Sequence, residues 1–137
     1  MSDTWVLDSF ALLALLGSEP GGEDVARLLR QAQSGDARLL MTWVNVGEVA
    51  YIVEHRWGQT RLHQVLGTLE ATTIEMVPVE RALALAAARI KATHPLAYAD
   101  AFAAALAMQT DAALVTGDPE FHLLEKVLRI HWLPQAG

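Results

Sequence analysis

The sequence contains no cysteine. That excludes a disulfide scaffold, a thiolate metal site and a cysteine nucleophile, and it fits a reducing cytoplasm. Long apolar runs are missing too. The stretch from Phe10 to Leu16 is too short to cross a membrane, and no Lys or Arg precedes Arg27, so it lacks the basic flank of a signal peptide. A soluble chain is expected. Positive charge is scarce, with ten Lys and Arg against sixteen Asp and Glu and a net charge of −6. This is the wrong sign for gripping a polyanion by charge alone; any such role has to work through metal ions, local basic patches or a partner. Neither a dinucleotide-binding glycine motif nor a P-loop occurs. The five histidines, His55, His63, His94, His122 and His131, show no helical pairing suited to a zinc hydrolase.

What is present suits one core. At 137 residues and 53% hydrophobic, with no repeat, low-complexity tract or linker, the chain reads as a single domain over 1–137. Short apolar runs at Trp5 to Leu7, Leu39 to Met41, Ile74 to Val77, Ala113 to Thr116 and Leu128 to Trp132 predict strands. Helices are predicted at Phe10 to Leu16, from the Pro20-Gly21-Gly22 turn to about Gly35, and at Trp43 to Trp57, closed by Gly58. Three more follow at Gln59 to Ala71, Glu80 to Thr93 and Leu96 to Thr110. His94-Pro95 separates the last two, because proline breaks a helical run. Such alternation predicts an α/β fold with a mostly parallel central sheet flanked by helices, and ligands of such sheets sit at the strands' carboxyl ends. Trp5, Trp43, Trp57 and Trp132 are expected in the core or at an interface.

The placement of acids is more informative than their number. Asp8 is the only charged residue between Thr4 and Ser18, and Glu48 the only one between Leu39 and Val53. Asp100 is the only acid or strong base between Ala92 and Thr110. An ionised carboxylate removed from water costs several kcal/mol unless hydrogen bonds, a cation or a metal compensate. Glu48 falls in line with Val44 and Ile52 and beside Val49, which puts it on the stripe expected to face the core. Asp8 and Asp118 each follow a predicted strand, at the edge where ligands bind, and Asp100 lies in the first turn of its helix. If the four converge, carboxylates ~4 Å apart at an effective dielectric near 20 repel by roughly 4 kcal/mol per pair, which calls for cations. All-oxygen sites favour Mg²⁺ or Mn²⁺ over zinc. Ions of this kind ease the ionisation of water and clamp phosphodiester oxygens, so phosphodiester hydrolysis is the natural reaction. Taken singly, each acid has a plainer reading: helix N-caps for Asp8 and Asp118, a helix-dipole partner for Asp100, an arginine partner for Glu48.

Four motifs together carry a resemblance. They are Val-Leu-Asp-Ser-Phe-Ala-Leu-Leu-Ala-Leu-Leu from Val6, Asn-Val-Gly-Glu-Val from Asn45, Tyr-Ala-Asp-Ala-Phe-Ala-Ala-Ala from Tyr98, and Val-Thr-Gly-Asp-Pro-Glu-Phe from Val115. In this order and spacing the chain resembles the PIN-domain ribonucleases, and among them the VapC-type toxins of bacterial toxin–antitoxin pairs. That likeness implies Asp8, Glu48, Asp100 and Asp118 as an acidic cluster holding Mg²⁺ or Mn²⁺ for RNA cleavage. Thr116 and Ser9 would supply hydroxyls that orient a carboxylate or a coordinated water. It further implies a homodimer and an antitoxin whose tail brings a basic side chain to the acidic pocket. Glu120 is either a fifth acid or a helix-starting glutamate after Pro119. Arg89, Lys91 and His94 form either a phosphate contact or a solvated helix end. Two rival classes stay open. An aspartyl-nucleophile phosphatase at Asp8 would ordinarily carry a second acid where Phe10 stands, and a non-catalytic binding module would have little reason to keep Glu48 on an apolar stripe.

Overall fold

The computed structural model describes residues 3–134. Asp3–Leu7 (β1), Ala37–Thr42 (β2), Ile74–Val77 (β3), Ala113–Thr116 (β4) and Ile130–Trp132 (β5) form one sheet in the order β3-β2-β1-β4-β5. Every pairing is parallel, so the expected mostly parallel sheet is wholly so. Five helices complete the fold: Ser9–Leu16 (α1), Gly22–Gln33 (α2), Trp43–Ala71 (α3), Arg81–Thr93 (α4) and Tyr98–Gln109 (α5). A 3-10 turn spans Pro119–Leu124.

Strand alternation sorts the core into two layers. Val6, Leu40 and Leu114, in register with one another, face α4 and α5 with Leu83, Ala87 and Phe102. On the other side Leu7, Leu39, Met41 and Val115 face α1, α2 and α3 with Leu12, Val25 and Val49. A sheet buried on both faces is what purely parallel, nearly all-apolar strands require. α5 is buried at every residue from Asp100 to Ala107, and its alanines present little bulk on any side, which suits a helix enclosed by protein.

Departures from the sequence expectation are local. The predicted helices on either side of Gly58 form one run, α3, broken where Gly58 adopts φ +89°, a backbone region that favours glycine. α5 starts at Tyr98 rather than Leu96, because Ala97 is extended at its N-cap and Leu96 is spent in the core. The last strand starts at Ile130 rather than Leu128, whose side chain also packs in the core. No tryptophan is fully buried: Trp43 and Trp57 are exposed, Trp5 and Trp132 half-buried. No helix of the described residues is long and apolar enough to cross a membrane.

Candidate active site

From β1 the chain builds outward through β2 to β3, and then returns to the other side of β1 to lay down β4 and β5. The strand order reverses between β1 and β4, the place where parallel sheets leave a crevice at their carboxyl ends. Asp8 leaves β1 there and Asp118 follows β4. Asp8 is 1% exposed and caps α1, its Oδ1 accepting from the Ala11 amide at 2.8 Å. Its Oδ2 accepts from the Thr116 hydroxyl at 2.5 Å, and Thr116 Oγ1 in turn accepts from the Asp118 amide at 3.0 Å. One threonine thus ties the acid after β1 to the backbone that carries the acid after β4.

Asp118 caps the 3-10 turn, accepting from the Glu120 amide at 2.9 Å, and this turn swings Glu120 back toward α5. Asp100, in the first turn of α5, meets both. Carboxylate oxygens of Asp100, Asp118 and Glu120 all lie within 4.8 Å of one another. Burial pushes Asp100 up to about 8, helped by a hydrogen bond shared with the Glu120 carboxyl and by the charges of Asp118, Asp8 and Glu48. Burial likewise raises Asp8 to about 7, and the charges of Asp118 and Glu48 add to it; the hydrogen bonds from Thr116 and Ala11 pull the other way. Acids that burial, aided by the like charges around them, pushes up toward neutral pH form a site short of positive charge. Three convergent carboxylates are a hard, all-oxygen donor set, and they fit a hard divalent cation.

With the geometry in hand, the family is decided by its extent in the chain. The model of the PIN domain family matches residues 5–127, from β1 through the segment before β5. The chain belongs to the PIN domain family. Among solved structures it is similar to a chain of VapBC2 from Rickettsia felis, bound to a DNA fragment from their promoter. The TM-score there is 0.74 and the identity 13%, over 96% of this chain and 99% of that one. A chain of DNA-bound VapBC from Salmonella typhimurium matches with TM-score 0.73 and 17% identity, over 96% and 98%. VapC20 from Mycobacterium tuberculosis, described as a sarcin-ricin loop cleaving toxin, matches with TM-score 0.70 and 15% identity, over 87% and 93%. At these identities the likeness concerns the fold. A sequence comparison with curated proteins found no match.

Within this PIN domain the sequence-derived residues take different places. Asp8, Asp100, Asp118 and Thr116 come together, and Glu120 joins them as an acid rather than only a helix-starting residue. Glu48 departs from its expected core position: it is half-buried, and it reaches Asp8 and Asp100 through its charge while standing outside the tight three-acid cluster. In the second turn of α3 it lies on the rim of the apolar stripe, of which Val49 is buried and Val44 and Ile52 are only partly so. The Ser9 hydroxyl goes elsewhere than to a carboxylate. It donates to the Asn45 carbonyl and accepts from Asn45 Nδ2, both at 3.3 Å.

Asn45 is the residue the sequence reading passed over except as a motif letter. It is fully buried; its amide nitrogen also donates to the Ala99 carbonyl at 3.1 Å, and its Oδ1 accepts from Thr42 Oγ1 at 2.6 Å. One side chain therefore pins the starts of α1, α3 and α5, the helices that carry Ser9, Glu48 and Asp100. A polar amide alone among valines was its only signal. Gly117 is a second such residue: a methyl group there would overlap the Phe10 ring, which packs over the turn between Thr116 and Asp118. His94, weighed as a phosphate contact, has its Nδ1 at 3.2 Å from the Ile90 carbonyl, at the end of α4.

Proposed function

We propose that this PIN domain is an endoribonuclease dependent on a divalent cation, Mg²⁺ or Mn²⁺, and that it acts as the toxin of a toxin–antitoxin pair. The observation that carries the reading is the convergence of the Asp100, Asp118 and Glu120 carboxylates, with Asp8 beside them, at the switch point of the sheet. Asp100, Asp118 and Glu120 would hold the ion, with Asp8 and Glu48 adding charge around it. A bound divalent ion makes water easier to ionise and offsets the charge that builds on phosphodiester oxygens. Thr116 keeps Asp8 in one orientation, and Asn45 keeps Asp100 and Glu48 on helices that start at a common point. Asp100 and Asp8, both raised toward neutral pH, would have to give up their protons to a bound cation, which would couple its binding to pH.

RNA as substrate is supported by the toxin description of the similar VapC20, and the antitoxin partner by the VapBC structures. An acidic pocket also suits an antitoxin side chain of Arg or Lys. A homodimer would draw on exposed apolar side chains such as Tyr51 and Trp57 on α3 and Leu85 on α4. The phosphatase reading loses support, since Asp8 has both oxygens engaged and Phe10 lies against Gly117.

The test is cleavage of a labelled RNA pool by the wild-type protein and by Asp100→Asn, each with Mg²⁺, with Mn²⁺ and with EDTA. Cleavage that needs a metal and is lost in the variant is the expected result. Equal cleavage by both proteins would overturn the carboxylate mechanism.

A further inference from the structure

A chain of net charge −6 that cuts RNA has to hold a polyanion somewhere. Arg27 and Arg38 are engaged with Asp24 and Glu75. The segment after Glu120 offers more. A cleft of about 580 Å³ opens along β5, the edge strand, lined among others by Lys126, Val127, Arg129, Ile130 and Trp132. Its volume falls within the range of small-ligand sites, roughly 300–1,000 Å³.

Its position ties it to the carboxylates. Trp132 is in register with Thr116, the residue that holds Asp8, so this end of the cleft stands one strand away from the acids. The other end, at Arg129, lies at the amino end of β4, where the Arg129 carbonyl accepts from the Leu114 amide at 2.9 Å. The cleft thus leads away from the site along the sheet edge.

Its chemistry is that of a nucleotide. The His122 ring stacks on Trp132 with centroids 4.4 Å apart and planes 26° from parallel, which fixes the indole. His122 also contacts Glu125, the acid on the cleft wall. Lys126 has no ion pair among the described residues; Arg129 lines the cleft with its stem, while its guanidinium donates to the Asp111 carbonyl at 2.5 Å, off the cleft wall, with the Asp111 carboxylate 3.5 Å away. Val127, 62% exposed, adds an apolar surface. Indole and valine surfaces beside a lysine without an ion pair are what a base and its phosphate need.

We propose that this cleft is a subsite for one nucleotide of single-stranded RNA flanking the bond cut at the carboxylates. The base rests on Trp132 and Val127, and the phosphate on Lys126. The identity of the polymer rests on the ribonuclease reading above; the cleft's own chemistry calls for a base and a phosphate.

Binding is measured apart from cleavage, by anisotropy of a fluorescent single-stranded RNA on the full chain in EDTA across a salt series. Lys126→Ala should weaken binding and flatten the log K against log salt slope by about 0.7, the value for one lost phosphate contact on a single strand. Trp132→Leu should weaken it about tenfold, as loss of one stacked base does. Because Trp132 packs against the core, that variant is read together with Lys126→Glu, at an exposed position. Arg56→Ala, on exposed α3 surface, serves as the control and should change neither affinity nor slope. In metal-supported cleavage Lys126→Ala should raise KM and leave kcat unchanged.

Wild-type affinity and slope in both Lys126 variants would overturn the subsite, as would the absence of RNA binding by the wild-type chain. Cleft-dependent binding without cleavage under any metal would support the subsite and sink the ribonuclease reading. Cleavage indifferent to the cleft variants would do the reverse.

Discussion

Asp100→Asn should stabilise the metal-free protein at alkaline pH while destroying its response to metal. Asp100 is 8% exposed and titrates near 8 rather than its ordinary 3.8, first because it is buried and then because Glu120, Asp118, Asp8 and Glu48 surround it. A carboxyl whose folded pKa is raised binds more protons folded than unfolded between the two values. Stability therefore falls as pH rises from about 4 to about 8, and the full cost is present above 8. At ~1.4 kcal/mol per pH unit the unscreened cost approaches ~6 kcal/mol; halving it for solvent at the mouth of the site leaves ~3 kcal/mol at pH 8 and ~1 kcal/mol at pH 5. The uncharged amide is spared this cost. In EDTA the variant's midpoint should exceed the wild type's by roughly 10 °C at pH 8 and by only a few degrees at pH 5, at about 3–5 °C per kcal/mol for a domain of this size. Divalent cation at ~100 times its dissociation constant should restore ~2.7 kcal/mol to the wild type and much less to the variant. Thermal unfolding at both pH values, with and without Mg²⁺, measures all of this. A variant less stable than wild type at pH 8, or a gap indifferent to pH, would refute the account of Asp100 as a charge held against its surroundings.

Three further outcomes are expected. Asn45→Ala strands Thr42, Ser9 and the Ala99 carbonyl in the interior and should cost about 2–4 kcal/mol in urea unfolding, with residual cleavage retaining its metal requirement. Thr116→Val keeps the shape but removes the donor to Asp8 and the acceptor of the Asp118 amide; cleavage should fall at least about tenfold while stability drops only ~1–3 kcal/mol. Cation affinity, read by calorimetry, should rise from pH 6 to pH 8.5, with proton release largest near pH 6 to 7, where Asp8 and Asp100 still carry protons. Affinity flat across that range would contradict the protonation states assigned to the two acids.

How much of this was legible in the sequence follows from what each residue's signal depends on. Asp8 and Asp100 stand out because a charge inside an apolar run is costly wherever the chain folds, so linear context alone marks them; the structure buries both. Asp118 follows from strand logic, since a residue just after a buried parallel strand lies at the ligand edge. Glu48 depends on helical phase, and a half-turn's uncertainty separates the core stripe from its rim, where the side chain is half-buried and acts at a distance. Glu120 and Asn45 depend on tertiary geometry. Glu120 joins the cluster only because the Asp118 cap folds Pro119–Leu124 into a 3-10 turn aimed at α5. Asn45 matters because three helix starts meet at its amide, a coincidence with no periodicity to betray it. Asp8, Asp100 and Asp118 were thus readable from context along the chain, Glu120 stood open between a fifth acid and a helix start until the turn placed it, and Asn45, which aligns the helices, gave no such signal. A substitution survey should therefore find Asn45 as intolerant of change as the acids themselves, but for stability rather than for chemistry.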